Sequence, residues 1–176
     1  MPGWQDSGPN HWQSLWLAAN PSWSRVQQDD WLRPVRDEWV ARLEQTIRAD
    51  PRPAVLVAHS LGCHLVAEWA AQSDEAQRVR AALLVAPPDT GRADFPRELE
   101  SWRDRTARPL PFATTVVFSE DDPYCSREAA LALAAAWSAT PYGIGPRGHI
   151  NADSALGAWP EGSRLLSALA ARTLVR

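Results

Sequence analysis

The sequence predicts an α/β fold, a three-layer α/β/α arrangement around a mostly parallel sheet, and three observations carry that prediction. Short strand-like runs recur at residues 54–57, 81–86 and 114–118, the first two continuously apolar and the third β-branched and apolar. None shows the polar alternation of a strand with one wet face, so each is expected to be buried on both. Longer runs with helical character alternate with them, at 61–72, 126–138 and 160–174. A chain of 176 residues suits one such domain, burying roughly 70% of its unfolded surface. A single domain over residues 1–176 is therefore expected.

Taken in order, residues 1–9 are turn chemistry, and Trp12, Leu15 and Trp16 then share one face of a short helix that ends at Asn20-Pro21. Residues 23–28 read as a short strand. Pro34 opens a second helix, in which Val35, Trp39, Leu43 and Ile47 recur at helical spacing up to Asp50-Pro51. After the strand at 54–57, the helix at 61–72 is apolar on nearly all sides, as a helix against the middle of a sheet should be. The next strand is 81–86. Residues 87–111, rich in proline and charge, break the alternation, and with one short helix around 97–103 they are expected to form a short lid over a site. Alternation resumes with the strand at 114–118, a polar turn, the alanine-rich helix at 126–138 and a short strand at 141–144. A glycine-rich turn then leads to the last, amphipathic helix at 160–174.

Composition narrows the function. A net charge of -3 without a Lys/Arg cluster argues against a nucleic-acid partner, which demands a concentrated basic stripe. No apolar run approaches the roughly 18 residues of a membrane span, and the polar, proline-containing start is not a signal peptide. A cytoplasmic protein with no membrane partner is expected, acting on a small molecule. Two cysteines, Cys63 and Cys125, make neither a disulfide framework nor a zinc spacing and are read as buried thiols. No metal or organic cofactor is implied. Ten tryptophans exceed the needs of a core this size, so some are expected to line a pocket or its rim.

The most informative stretch is Ala58-His59-Ser60-Leu61-Gly62, where a buried strand runs directly into a helix. A serine at such a turn has a strained backbone, and the close passage of helix and strand requires small residues two before and two after it. Ala58 and Gly62 meet that requirement. In a parallel sheet, ligand-facing loops lie at the carboxyl ends of the strands. Two of those loops supply partners for a serine nucleophile: Ser119-Glu120-Asp121-Asp122-Pro123 after the strand at 114–118, and Gly148-His149-Ile150-Asn151 after the last strand. A serine hydroxyl needs a histidine to take its proton and a carboxylate to orient that histidine. His149 is the base, and Asp121 or Asp122 the acid. Of the other histidines, His11 and His64 fall on helices, and His59 is expected to point away from Ser60. Leu61, just after the serine and at a helix N-terminus, supplies a backbone N–H for an oxyanion.

These motifs resemble those of the compact serine hydrolases of the retinoblastoma-binding protein 9 type, a branch of the α/β-hydrolase superfamily. The likeness runs through Pro2-Gly3-Trp4, Ser7-Gly8-Pro9, His11-Trp12-Gln13, the Ala58 to Cys63 elbow and Val85-Ala86-Pro87-Pro88. It continues through Asp121-Asp122-Pro123, Gly148-His149-Ile150-Asn151, Gly157 and Trp159-Pro160-Glu161-Gly162. The resemblance implies Ser60 as nucleophile, Asp122 as acid and His149 as base, with the backbone N–H of Trp4 as the second oxyanion donor. It implies cleavage of a small ester, thioester or amide; the competing reading is a protein-binding module on a hydrolase fold. Hydrolases of this type also begin with an apolar strand ending in the Pro-Gly turn, for which Met1-Pro2-Gly3 leaves no residues. Either the first strand is missing or the true start lies upstream, and the turn at residues 3–5 is expected to be mobile or displaced, with a poorly formed second oxyanion donor.

Overall fold

The computed structural model describes residues 1–103 and 106–172. Its sheet has four strands among the described residues, β1 (Ala54–His59), β2 (Val79–Val85), β3 (Ala113–Phe118) and β4 (Thr140–Gly143). They pair in chain order, and every pairing is parallel. Five helices cover it: α1 (Trp12–Ala19), α2 (Arg36–Ala49), α3 (Leu61–Ala70), α4 (Arg127–Ala136) and α5 (Pro160–Arg172). Side chains alternate across a strand, so β2 divides its apolar run between two cores. Ala82 and Leu84 join Leu56, Ala58 and Val116 beneath α2 and α3, whereas Ala81, Leu83 and Val85 meet Trp12, Trp16, Leu166 and Leu169 of α1 and α5. The unbroken apolar runs of the sequence are this two-sided burial.

β1 lies at one edge of the sheet, with Met1 alone beside it. The Met1 amine donates to Val57 O at 2.6 Å, and Met1 O accepts from His59 N at 3.0 Å. β4 forms the other edge, and all four of its residues are exposed.

The tryptophans serve the core more than any pocket. Trp12, Trp16, Trp39, Trp69, Trp102, Trp137 and Trp159 are all buried. Residues 23–28 form no strand. Arg25 instead turns inward to donate to Asp6, Ser7 O and the Ser14 hydroxyl, which ties the segment to the start of the chain and away from a sheet edge. Val35 is exposed because it precedes the first turn of α2 rather than joining its buried face. In the segment 87–111, residues 104 and 105 lie outside the described residues. The remainder holds a 3-10 helix, Arg97–Trp102, and buries Phe95, Leu99, Trp102 and Leu110 in the core under α2. Trp102 Nε1 donates to Pro34 O at 2.7 Å, so this stretch is fastened to the helical layer. The expected end of the last helix, at 174, also lies outside the described residues.

Trp159 shows how tightly the α1/α5 core is filled. It stacks on Trp16 with ring centroids 5.9 Å apart, and a Cβ on Gly162 would fall 2.2 Å from its Cε3 atom. Gly162 is therefore the space into which the indole folds. Gly162→Ala should destabilise the protein by about 1–3 kcal/mol through overpacking, despite the better helix propensity of alanine. Urea unfolding should show a lower midpoint with an unchanged slope.

Candidate active site

β1 ends at His59 and α3 starts at Leu61, so Ser60 alone turns the chain between them. It does so at φ 54° and ψ -128°, a conformation that costs a residue with a side chain on the order of 1–3 kcal/mol. Neighbouring backbone holds it there: Ser60 N donates to Val85 O of β2 at 2.9 Å, and Ser60 O accepts from Cys63 N at 2.9 Å. A Cβ on Gly3 would lie 2.7 Å from Ser60 Cβ and 3.0 Å from Leu61 N, so only glycine lets the start of the chain lie flush on the elbow. Gly62 is small for a related reason. A Cβ there would meet Met1 O at 2.6 Å and Pro2 O at 2.7 Å.

The turn at residues 3–5 is anchored by more than the helix that follows it. Gln5 N donates to Trp31 O at 2.9 Å, and Trp4 Nε1 donates to Leu32 O at 2.9 Å. Together with the Met1 bonds to β1, these contacts hold Gly3 against Ser60 and Leu61 N.

The two loops at the ends of β3 and β4 converge on the serine. His149 Nε2 is 2.9 Å from Ser60 Oγ, and His149 Nδ1 lies 3.0 and 2.9 Å from the two carboxylate oxygens of Asp122. The Asp122 side chain is only 3% exposed and that of His149 10%. A carboxylate only accepts, so it selects the tautomer with hydrogen on Nδ1 and leaves the Nε2 lone pair facing the hydroxyl. Such a relay can take a proton from Ser60 as its oxygen attacks an electrophile. Asp121 is engaged elsewhere. Its Oδ1 accepts from the Ser119 hydroxyl at 2.7 Å and from Gly148 N at 2.7 Å. The Ser119 hydrogen bond, then the backbone ones, hold its carboxyl below the ordinary range. Ser119 Oγ in turn accepts from Arg147 N at 2.8 Å. The adjacent aspartates thus divide two tasks, one facing the imidazole and one tying the loops together.

His59 is not turned away from this assembly. Its Nε2 lies 2.9 Å from His149 O, and because a carbonyl only accepts, Nε2 carries the hydrogen and donates. Trp12 Nε1 adds a second anchor on the same loop, to Ile150 O at 2.8 Å. The strand alternation carries the signal for this contact: residues 57 and 59 share a face, and Val57 packs with Trp12 and Ile150. Among the described residues no cluster of three His, Cys, Asp or Glu side chains is arranged to hold a metal ion, and no helix is long and apolar enough to cross a membrane.

The serine hydrolase family model matches residues 1–168, a span that includes the elbow and both converging loops. This chain belongs to the serine hydrolase family. No curated protein sequence matches it. Among solved structures, a protein described as a YdeN-like hydrolase from Pectobacterium atrosepticum is 29% identical, with a TM-score of 0.86, covering 98% of this chain and 89% of that one. The ydeN gene product of B. subtilis is 20% identical, with a TM-score of 0.74 and coverage of 96% and 95%. BpoC from Mycobacterium tuberculosis, described as a non-heme bromoperoxidase, is 14% identical, with a TM-score of 0.62 and coverage of 96% and 88%. These last two likenesses establish the α/β-hydrolase fold.

Behind His149, this serine hydrolase packs two further imidazoles, inclined to one another rather than stacked. His11 lies 4.7 Å from His59 and His59 lies 4.9 Å from His149, centroid to centroid. Burial pushes the His59 pKa well down, and burial, reinforced by Arg25, lowers that of His11 from 6.5 to about 4. Both are therefore neutral in the folded protein at pH values where the unfolded chain would protonate them. Stability from this source is complete above about pH 6.5 and declines as pH falls from there towards about 4, because only the unfolded state gains the protons. Melting temperature should drop by roughly 5 °C or more over that interval. His59→Phe, which keeps a ring but cannot titrate, should show a shallower drop than the wild type.

Proposed function

We propose that this protein hydrolyses a small ester, thioester or amide through an acyl-enzyme on Ser60, with His149 as general base and acid and Asp122 as the orienting carboxylate. Within the serine hydrolases we assign it to the retinoblastoma-binding protein 9 type on the strength of the motifs quoted above. The observation that carries the proposal is the continuous hydrogen-bond relay from Asp122 through His149 to a serine in a strained elbow, with every member at the carboxyl end of a strand. Ser60 Oγ attacks the carbonyl carbon while its proton passes to His149 Nε2. The resulting oxyanion takes hydrogen bonds from Leu61 N, at the positive end of α3, and from Trp4 N. Collapse of the intermediate breaks the bond to the leaving group, which departs with the proton from His149. Water, deprotonated by the same imidazole, then releases the acid and frees Ser60. The relay calls on no metal or organic cofactor, and the acidic balance and absence of a basic cluster favour a small acyl substrate over nucleic acid or membrane. A cytoplasmic location belongs to the same reading.

A fluorophosphonate probe should add once per chain, read by intact mass, and Ser60→Ala should abolish the addition. Labelling that survives this substitution, or a wild type that is never labelled, would favour a protein-binding module on the same fold. The two aspartates should separate cleanly in ester turnover. Asp122→Asn should lower kcat by up to about 10,000-fold, as loss of the orienting carboxylate does in a serine-histidine relay. Asp121→Asn should lower it by about tenfold or less, since it loosens a loop tie without removing the histidine's partner. The opposite ranking would move the acid's role to Asp121.

A further inference from the structure

His149 is flanked on both sides by aromatic rings, and the two flanks differ in kind. His59 backs it from the interior and is buried. Tyr124 stands on the other flank, with ring centroids 4.6 Å apart and planes at 76°, yet it is 50% exposed. Its backbone is fixed at both ends: Tyr124 N donates to Asp122 Oδ1 at 2.9 Å, and Tyr124 O accepts from Asp89 N at 3.0 Å. A large, half-exposed ring is thus carried on a rigid segment directly beside the base.

The chemistry of acyl transfer says which part of a substrate meets that ring. Around the tetrahedral carbon, the oxyanion points to Leu61 N and Trp4 at the elbow. The leaving-group atom must point to His149 Nε2, from which it takes its proton. The group attached to that atom therefore lies along the solvent side of His149, where Tyr124 stands, while the acyl chain extends away from it.

Resting on the hydrolase reading above, we propose that Tyr124 is the leaving-group specificity residue and that it selects flat, aromatic leaving groups by packing against their rings. An aromatic contact of this kind contributes on the order of a tenfold preference. The hydroxyl takes no part in the selection.

The test uses two series of esters on the intact protein. The first holds the acyl group as acetyl and varies the alcohol through phenyl, naphthyl, ethyl and butyl; the second holds phenol and lengthens the acyl chain. The quantity read is kcat/KM, which reports acylation and so retains the leaving group even where deacylation limits kcat. Tyr124→Ala should lower kcat/KM about tenfold for the aryl acetates and less than twofold for the alkyl acetates. It should lower all members of the phenyl series by one common factor, and Tyr124→Phe should keep the wild-type profile. Taking the ratio of variant to wild type for each ester cancels the intrinsic reactivity of the better leaving groups. An equal loss on aryl and alkyl acetates would show that Tyr124 only supports His149 and would overturn the proposal while leaving the hydrolase reading intact. A loss that varies with acyl length would overturn it in favour of an acyl-side role. A wild type that cleaves none of the esters and takes up no fluorophosphonate would overturn the hydrolase reading and this proposal with it.

Discussion

Ser60 occupies a backbone conformation that no isolated chain would choose for it, and the surrounding structure is arranged so that this conformation persists. The serine's own amide is held by the neighbouring strand, and its carbonyl by the first turn of α3. Residues 1–3 then lie across the junction like a clasp, a position available only because both Gly3 and Gly62 lack a Cβ. With its turn conformation imposed, the hydroxyl presents itself at the end of the strand with little freedom to retreat. The strain is offset by the sheet and by the clasp, not by anything the serine does for itself.

The other half of the site is held by polar ties to the histidine loop as well as by the burial of Ile150 in the α1/α5 core. The histidine loop is gripped from several directions: Ser119 holds Arg147, Asp121 holds Gly148, His59 holds His149 and Trp12 holds Ile150. Each tie reaches a different backbone group, so the imidazole has little room to swing. A general base works when its geometry is set before the substrate arrives. The buried, neutral His59 suits that task, since it donates a hydrogen bond to His149 O without adding a charge beside the relay.

Much of this was legible in the amino-acid sequence, and what was not shares a physical cause. The strands announced themselves because β2 is buried on both faces from Ala81 to Val85, which leaves no polar interruption in that run. The serine, aspartate and histidine were visible because the loops that carry them follow strands in a parallel sheet. Several matters escaped. Residues 23–28 look like a strand by composition, but Arg25 finds better partners in Asp6 and Ser14, and a side chain's choice among distant partners leaves no local trace. Seven of the ten tryptophans are buried in the core, which a count of tryptophans alone does not reveal. His59 was misjudged because its partner is a backbone carbonyl from a loop 90 residues away, a contact that exists only once the whole sheet has formed. Asp121 and Asp122 could not be told apart by adjacency alone; the different directions of their side chains separate them.

The placement of β4 has a consequence for how the molecule would fail. This strand is four residues long, lies at the edge of the sheet and buries none of its side chains, yet the histidine loop hangs from its end. β1, which leads into the serine, has several buried side chains and adjoins β2, buried at every residue but Arg80. Under mild denaturing stress the outer strand and its loop would open while the inner sheet stayed intact, since local stability follows buried apolar contact. The chain would then lose the contact between Ser60 and His149 before it became unfolded, with the serine still in place and the imidazole gone. Recovery would need only the re-docking of one short edge, a local and rapid event compared with rebuilding the sheet.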